Sequence, residues 1–354
     1  MWWNLGSIIF CSLLFQVFTG FFLSFYYSGD GCLSFGLIDL CFRDVTFGFV
    51  LMLMHSVGCF VYFFSLYFHL FRGLYYGSYF MVGLWFLGCL LYVFSMAVAF
   101  LGYVLPWGNM SLWGATVITN LFSALPYVGQ SLVVWLWGGY SVGTPTLMRF
   151  FSFHFLIPFL VLLLSVCHLL VLHLRGRSNP LGPVLKSRCV SFDPYFTLKD
   201  FLGILFVVLC FVLFALFFPM FLYDSSNFVE SNSLLTPSHI KPEWYFLAAY
   251  AVLRSVPSKF GGVVFLLFFV LVYFLLPFLH SSNGYVFKSF FWSLFFYLWV
   301  FTFFSLTVIG GLPVVSPYVG LGVCFTFYYF VFLFVIPDVL DCLFSFMITK
   351  YWSC

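Results

Sequence analysis

Apolar residues run along this chain in eight long blocks, roughly 5–27, 47–71, 82–105, 150–174, 201–222, 261–280, 290–309 and 320–342, here called A to H. Each is close to the twenty or so residues that carry a helix across a bilayer. Apart from histidine, no acidic or basic side chain stands in the middle of any block. Polar and turn-forming positions are confined to the connections. Most connections are short, but C–D (106–149) and E–F (223–260) are long and rich in Pro, Gly, Trp and Ser, which predicts ordered caps with short surface helices. The pattern predicts an all-α polytopic membrane protein with eight transmembrane helices. It divides into residues 1–200, a four-helix bundle of spans A–D with the C–D loop, and residues 201–354, spans E–H with the E–F loop.

Composition narrows the function classes. Of 354 residues, 64% are hydrophobic and 6% charged, too few charges to cover a water-exposed surface. A net charge of +3 with no basic run leaves no nucleic-acid footprint. The eleven cysteines are scattered singly without CxxC or CxxCH, so zinc ribbons, thioredoxin chemistry and c-type haem attachment have no support. Cys32 and Cys41 share the A–B connection and are able to pair, free buried thiols being the simpler reading. The opening stretch MWWNLGSIIFCSLLFQ lacks a basic n-region and a small-residue cleavage site, so span A is expected to be retained.

Eight spans place both termini on one side. That side carries Arg72, Arg175, Arg177, Lys186, Arg188, Lys199, Lys288 and Lys350; the other carries Arg43, Arg149, Lys241, Arg254 and Lys259. The excess predicts termini on the matrix or cytoplasmic side, with both long loops opposite.

Candidate chemistry starts from histidines in hydrocarbon, which are costly and usually functional. Span B holds His55 and His69, fourteen residues apart, and span D holds His154 and His168, again fourteen apart. Fourteen helical residues make nearly four turns and rise about 21 Å, so each pair shares one face at two depths. B and D run in the same direction, which sets His55 level with His154 and His69 level with His168. Two neutral imidazoles facing each other suit a six-coordinate haem iron, and the surrounding Phe and Leu suit a porphyrin. Zinc would want three or four converging ligands. With both axial positions filled, electron transfer is the remaining chemistry, and two centres at different depths make a wire across the bilayer. Hydrogen bonding inside a helix bundle is the plainer role for such histidines. Gly6 and Gly20 on span A, and Gly88 and Gly102 on span C, repeat the spacing of fourteen. Glycine lets something bulky approach a helix, here macrocycles against A and C, although small residues also serve plain helix packing.

In the E–F loop, PEWY sets Glu243 beside Trp244 and Tyr245 at the start of a short helix behind Pro242. A carboxylate there is able to accept a proton from a lipophilic substrate, or simply to favour a helix start. The C–D loop offers Gly114–Ala115, small enough for a flat ring to approach.

Together the four histidines, the four glycines, LPWGNMSLWGATVITNLFSALPYVG, FRGLYYGSY and PEWYFLAAYAVLRSVPSK resemble cytochrome b of the ubiquinol–cytochrome c oxidoreductase, respiratory complex III, from Trp2 to about Pro337. The resemblance implies a transmembrane electron-transfer subunit whose first four helices hold two b-type haems. His55 and His154 would ligate the low-potential haem iron, His69 and His168 the high-potential one. Quinol would be oxidised at the outer face by Glu243, Tyr250, Tyr103 and Ala115, one electron passing to a Rieske iron–sulfur protein and the other through the haems. At the inner face His173, Lys199 and Asp200 would bind and protonate quinone, so that the cycle contributes to the proton-motive force. Implied partners are the Rieske protein, a c-type cytochrome, other complex III subunits and a second copy of the chain. Equal spacing of both histidine pairs and fusion of all eight spans resemble the respiratory form rather than the split chloroplast one. The mitochondrial inner membrane with matrix-side termini is expected, a bacterial plasma membrane being the alternative.

The chain also departs from the family. It begins close to its Trp-Trp, where the family has a preceding surface helix. Met52 replaces an arginine three residues before the first haem histidine, and Val57 an asparagine two after it. Haem propionates want cations, which leaves Arg149 and solvent on the outer side and Arg72 on the inner. Arg177 and Ser178 stand where small polar residues are usual. Met52→Arg is expected to shift the midpoint potential of the outer haem, read by redox titration; an unchanged potential would mean the cation is already replaced. A haem-free transporter would be expected to show internal repeats, and a two-haem dehydrogenase anchor would not explain PEWY or eight spans.

Overall fold

The computed structural model describes residues 4–176, 190–280 and 286–352, so Trp2, Trp3, Arg177, Ser178, Lys186 and Arg188 lie outside the described residues, as do the side chains of Lys288 and Lys350. Among the described residues the protein is helical without a strand; Gly108 and Glu230 form an isolated antiparallel bridge. The helices are α1 (Leu5–Leu23), α2 (Ser34–Arg43), α3 (Gly48–Tyr75), α4 (Val82–Val104), α5 (Asn109–Asn120), α6 (Gly129–Trp137), α7 (Thr144–Arg175), α8 (Tyr195–Phe217), α9 (Trp244–Ser255), α10 (Lys259–Leu271), α11 (Leu276–Leu279), α12 (Phe290–Gly310), α13 (Tyr318–Phe334) and α14 (Ile336–Trp352).

Six of these are long and apolar enough to cross a membrane: α1 with its 3-10 extension to Tyr26, α3, α4, α7, α8 and α12; α13 with α14, bent by 47°, makes a seventh if taken as one span. Along α8, Phe201, Leu202, Leu205, Phe206, Leu209 and Leu213 are exposed. Such a face belongs in lipid rather than water. Block F differs from its expected single span. There α10 passes into a 3-10 turn, Val272–Phe274, before the four-residue α11. The cause is Pro277, which has no N–H for the carbonyl of Tyr273 four residues earlier. Trp85 Nε1–H donates to that carbonyl instead, at 2.7 Å.

The same device recurs at the bend in block H. Pro337 leaves the Leu333 carbonyl without its helical donor, and His280 Nε2–H donates to it at 2.8 Å. That fixes the ring's Nδ1 as an acceptor, which takes the Tyr79 hydroxyl at 2.9 Å. Burial pushes the Tyr79 phenol well above its ordinary value, so it stays a donor.

The chain divides into two compact units, one made of Met1–His69 and Leu91–Ile240, the other of Leu70–Leu90 and Lys241–Cys354. In the first unit α1, α3, α4 and α7 are tied together by polar contacts. Gln16 Nε2 on α1 donates to the His55 carbonyl on α3 at 2.9 Å, across Gly58, where a Cβ would come within 2.5 Å of that amide. Tyr62 on α3 and Ser95 on α4 share a buried 2.6 Å bond. His154 on α7 bonds the Val98 carbonyl on α4. In the second unit the core is aromatic: Trp299 stacks on Tyr329 and Phe332, and the Tyr273 and Tyr329 hydroxyls meet at 2.6 Å.

Short helices do occupy both long connections, α5 and α6 in C–D and α9 in E–F. The first turn of α5 is held from outside. Ser111 N–H donates to Asn227 Oδ1 at 2.9 Å, Asn109 N–H to the Val229 carbonyl at 2.8 Å, and Asn109 Nδ2 to the Leu235 carbonyl at 2.9 Å. Gly108 is required there because a Cβ would overlap the Asn227 carbonyl. The helix α2 was not expected; it fills the A–B connection, burying Cys41 while Cys32 stays exposed, both as free thiols.

Candidate functional site

Two of the four expected iron ligands face each other in the first unit. The rings of His55 on α3 and His154 on α7 lie 6.3 Å apart between centroids, at 86° to one another. His154 Nδ1 lies 2.9 Å from the Val98 carbonyl, which can only accept, so the ring donates from Nδ1. His55 Nδ1 lies 2.9 Å from Thr19 Oγ1, whose own proton goes to the Phe15 carbonyl at 2.9 Å. The hydroxyl oxygen therefore accepts from His55 Nδ1–H. In neutral imidazoles both Nε2 lone pairs are then left for a metal, the arrangement in which a second-layer acceptor fixes the tautomer and raises ligand basicity. A separation of 6.3 Å is close to two metal–nitrogen bonds of about 2 Å plus the two ring radii. The pair fits the two nitrogen ligands that would hold a haem iron. Among the described residues no group of three or more His, Cys, Asp or Glu converges as a bare-metal site would need.

His69 and His168 lie fourteen residues further along α3 and α7, both half-buried in continuous helix. That places them about 21 Å along each axis from the first pair.

The glycines have a more specific neighbour than expected. A Cβ at Gly102 would overlap Cε1 of His154 and come within 2.9 Å of its Nδ1; one at Gly20 would come within 2.9 Å of His55 Cε1; one at Gly6 would lie 3.7 Å from His69 Cε1. Each therefore opens its helix toward an imidazole. Gly88, half-buried on α4, stands fourteen residues before Gly102.

Of the cations expected near propionates, Arg149 is exposed and donates to the carbonyls of Trp135 and Leu136 at the end of α6. Arg72 is half-buried in the last turn of α3.

The residues expected at the outer quinone site fall in both units, and each set stands on its own framework. In the first, Ala115 is fully buried in a cluster with Val104, Leu112, Leu147 and Phe150, while a Cβ at its neighbour Gly114 would meet the Tyr103 ring at 3.9 Å. Ser111 Oγ donates to the Tyr103 carbonyl at 2.9 Å, tying that residue to α5. In the second, Glu243 is the N-cap of α9 and its side chain makes no capping hydrogen bond. Tyr250, two turns on, lies under the Arg254 guanidinium at 5.2 Å.

At the expected inner site, Asn4 Nδ2 donates to the Lys199 carbonyl at 2.6 Å and Ser7 Oγ to Asp200 Oδ2 at 2.8 Å. Asn4 is only 3% exposed, and Gly203 makes room for it, since a Cβ there would come within 2.6 Å of its amide. His173 is exposed in the last turn of α7, without a described hydrogen bond to either residue. Asn4, Ser7, Gln16 and Thr19 were missed in the sequence. Their signal is faint: Asn4 just before block A, and Ser7, Gln16 and Thr19 among the few polar residues within it, near its two glycines.

Known proteins share this sequence pattern and fold. The family model Cytochrome b/b6/petB matches residues 1–176, and Cytochrome b(C-terminal)/b6/petD matches residues 230–330. A solved structure described as hyperthermophilic respiratory Complex III contains a chain 29% identical, superposing with a TM-score of 0.89 over 97% of this chain and 92% of that one. The two matched segments cover most of the sequence, and the chain belongs to the cytochrome b family.

Proposed function

We propose that this chain is the haem-bearing core subunit of a quinol:cytochrome c oxidoreductase, oxidising quinol at one face of the membrane and reducing quinone at the other. The observation that carries the reading is the His55–His154 pair, with both Nδ1 atoms occupied and both Nε2 atoms left for iron. When bound, two b-type haems would supply one-electron transfer across the bilayer, the second held by His69 and His168. The chain would cross the membrane eight times, blocks F and H each counting as one broken span. Its termini would lie on the matrix side of the mitochondrial inner membrane.

The residues divide the remaining work. At the outer face Glu243 accepts a proton from the quinol hydroxyl, with Tyr250, Tyr103 and Ala115 as the other residues assigned to quinol oxidation. At the inner face Lys199, Asp200 and His173 bind quinone and deliver protons to it. Ser7 supports this assignment by donating to Asp200 Oδ2, which holds the carboxylate in one orientation. The chain has neither a Rieske cluster nor a CxxCH motif. It therefore needs an iron–sulfur protein and a c-type cytochrome, and a second copy completes the assembly.

The test is a purified complex assayed two ways. An alkaline pyridine haemochrome should give two b-type haems per chain. Glu243→Gln should keep that haem content and slow quinol-dependent cytochrome c reduction at least about a hundredfold, the usual contribution of a positioned general base. Haem-free protein, or full activity in that variant, would overturn the reading.

A further inference from the structure

The helix that begins after Glu243 is fastened at its far end. Arg254, in the last turn of α9, donates from Nη1 to the Gly310 carbonyl and from Nη2 to the Leu312 carbonyl, both at 3.0 Å. Gly310 is the last residue of α12, where carbonyls have no helical donor and the helix dipole favours a cation. The two helices are also in close contact there, because a Cβ at Gly310 would overlap the Leu247 carbonyl of α9. The same guanidinium lies over the Tyr250 ring, 5.2 Å from its centroid, within the range of a cation–π contact. One side chain thus joins a fixed helix end to the face of an expected quinol-site tyrosine, one turn away on its own helix.

A lysine would reach one of these partners at a time. A planar fork that gives two parallel donors while stacking on a ring is a property of arginine. Capping alone would be satisfied by any donor and would not need the Tyr250 ring beneath it.

We infer that Arg254 is a positioning residue for quinol oxidation, holding the Tyr250 ring through a cation–π contact while its two hydrogen bonds anchor the helix to the end of α12. The inference rests on the reading of Tyr250 as part of the outer quinone site. Arg254 acts on the orientation of the phenol and touches no substrate itself.

The experiment is a double-mutant cycle on the intact complex in membranes, combining Arg254→Lys with Tyr250→Phe, which keeps the ring and removes the hydroxyl. Quinol-dependent cytochrome c reduction and haem b content are measured for all four proteins. Arg254→Lys alone should lower kcat about threefold to tenfold with KM unchanged, the range a partly desolvated cation–π contact supports. On the Tyr250→Phe background the same change should cost less than about twofold, because the group it orients is gone. Haem content should be equal throughout. Multiplicative losses would overturn the inference and leave the proposed function standing, since Arg254 would then act on the fold alone. Full activity in Tyr250→Phe would remove both the tyrosine's role and the inference. If Arg254→Lys does not accumulate, Arg254→Gln enters the same cycle with one amide donor kept; failure of both to retain haem makes Arg254 a folding residue and also overturns the inference.

Discussion

Replacing His154 by alanine should halve the b-type haem content of the complex and reduce quinol-dependent cytochrome c reduction to background. The ring sits 6.3 Å from that of His55 and is held by its bond to the Val98 carbonyl, so alanine removes both the ligand nitrogen and the contact that orients it. Loss of one of the two residues that would hold the iron also leaves buried His55 without its counterpart. His69 and His168 stand about 21 Å further along the same helices and should keep their haem. The redox titration should therefore retain one component and lose the other. A variant with both components intact would show that this pair holds no iron.

A second expected result needs no ligand to be removed. Alanine at Gly102, Gly20 and Gly6 should perturb haem binding in that order. At Gly102 the added methyl would overlap His154 Cε1, and the ring is unable to swing aside without losing its Val98 bond. At Gly20 the contact is 2.9 Å from His55 Cε1, again on a ring tied through Nδ1. At Gly6 the distance to His69 Cε1 is 3.7 Å, an ordinary van der Waals contact. Overpacking of this kind costs about 1–3 kcal/mol. Gly102→Ala should lose much of the His55–His154 haem, Gly20→Ala should show a shifted or broadened spectrum, and Gly6→Ala should be close to wild type. Haem-to-protein ratio and low-temperature reduced spectra on the three variants check the ranking. Equal effects at all three positions would mean the glycines serve general helix packing instead.

Much of this site was legible in the sequence because helical geometry is periodic. Equal spacing of His55/His69 and His154/His168 on two spans of the same direction fixes their depths before any contact is known. The tautomers were not legible. They depend on Thr19 and on the Val98 carbonyl, which come from other helices and carry no pattern of their own. The glycine ladder was visible, but the immediate neighbours of Gly6, Gly20 and Gly102 proved to be imidazoles. Among the helices, α2 escaped because the A–B connection has no long apolar run, although its amphipathic ten residues bury Cys41. Block F read as one continuous span because its composition is uniform. Pro277 was in plain sight, yet only the fold reveals that an indole stands in for the missing amide.

Trp85 and His280 turn the two proline breaks of the second unit into rigid elbows. Within hydrocarbon no water is at hand to take over a carbonyl that loses its partner. Straightening either break would leave Tyr273 or Leu333 with a bare oxygen, so the angle is set by a side chain distant in sequence rather than by the lipid. When the surrounding bilayer thickens, lengthening either segment would cost one of these bonds, so tilt or lipid deformation is the cheaper answer to the mismatch.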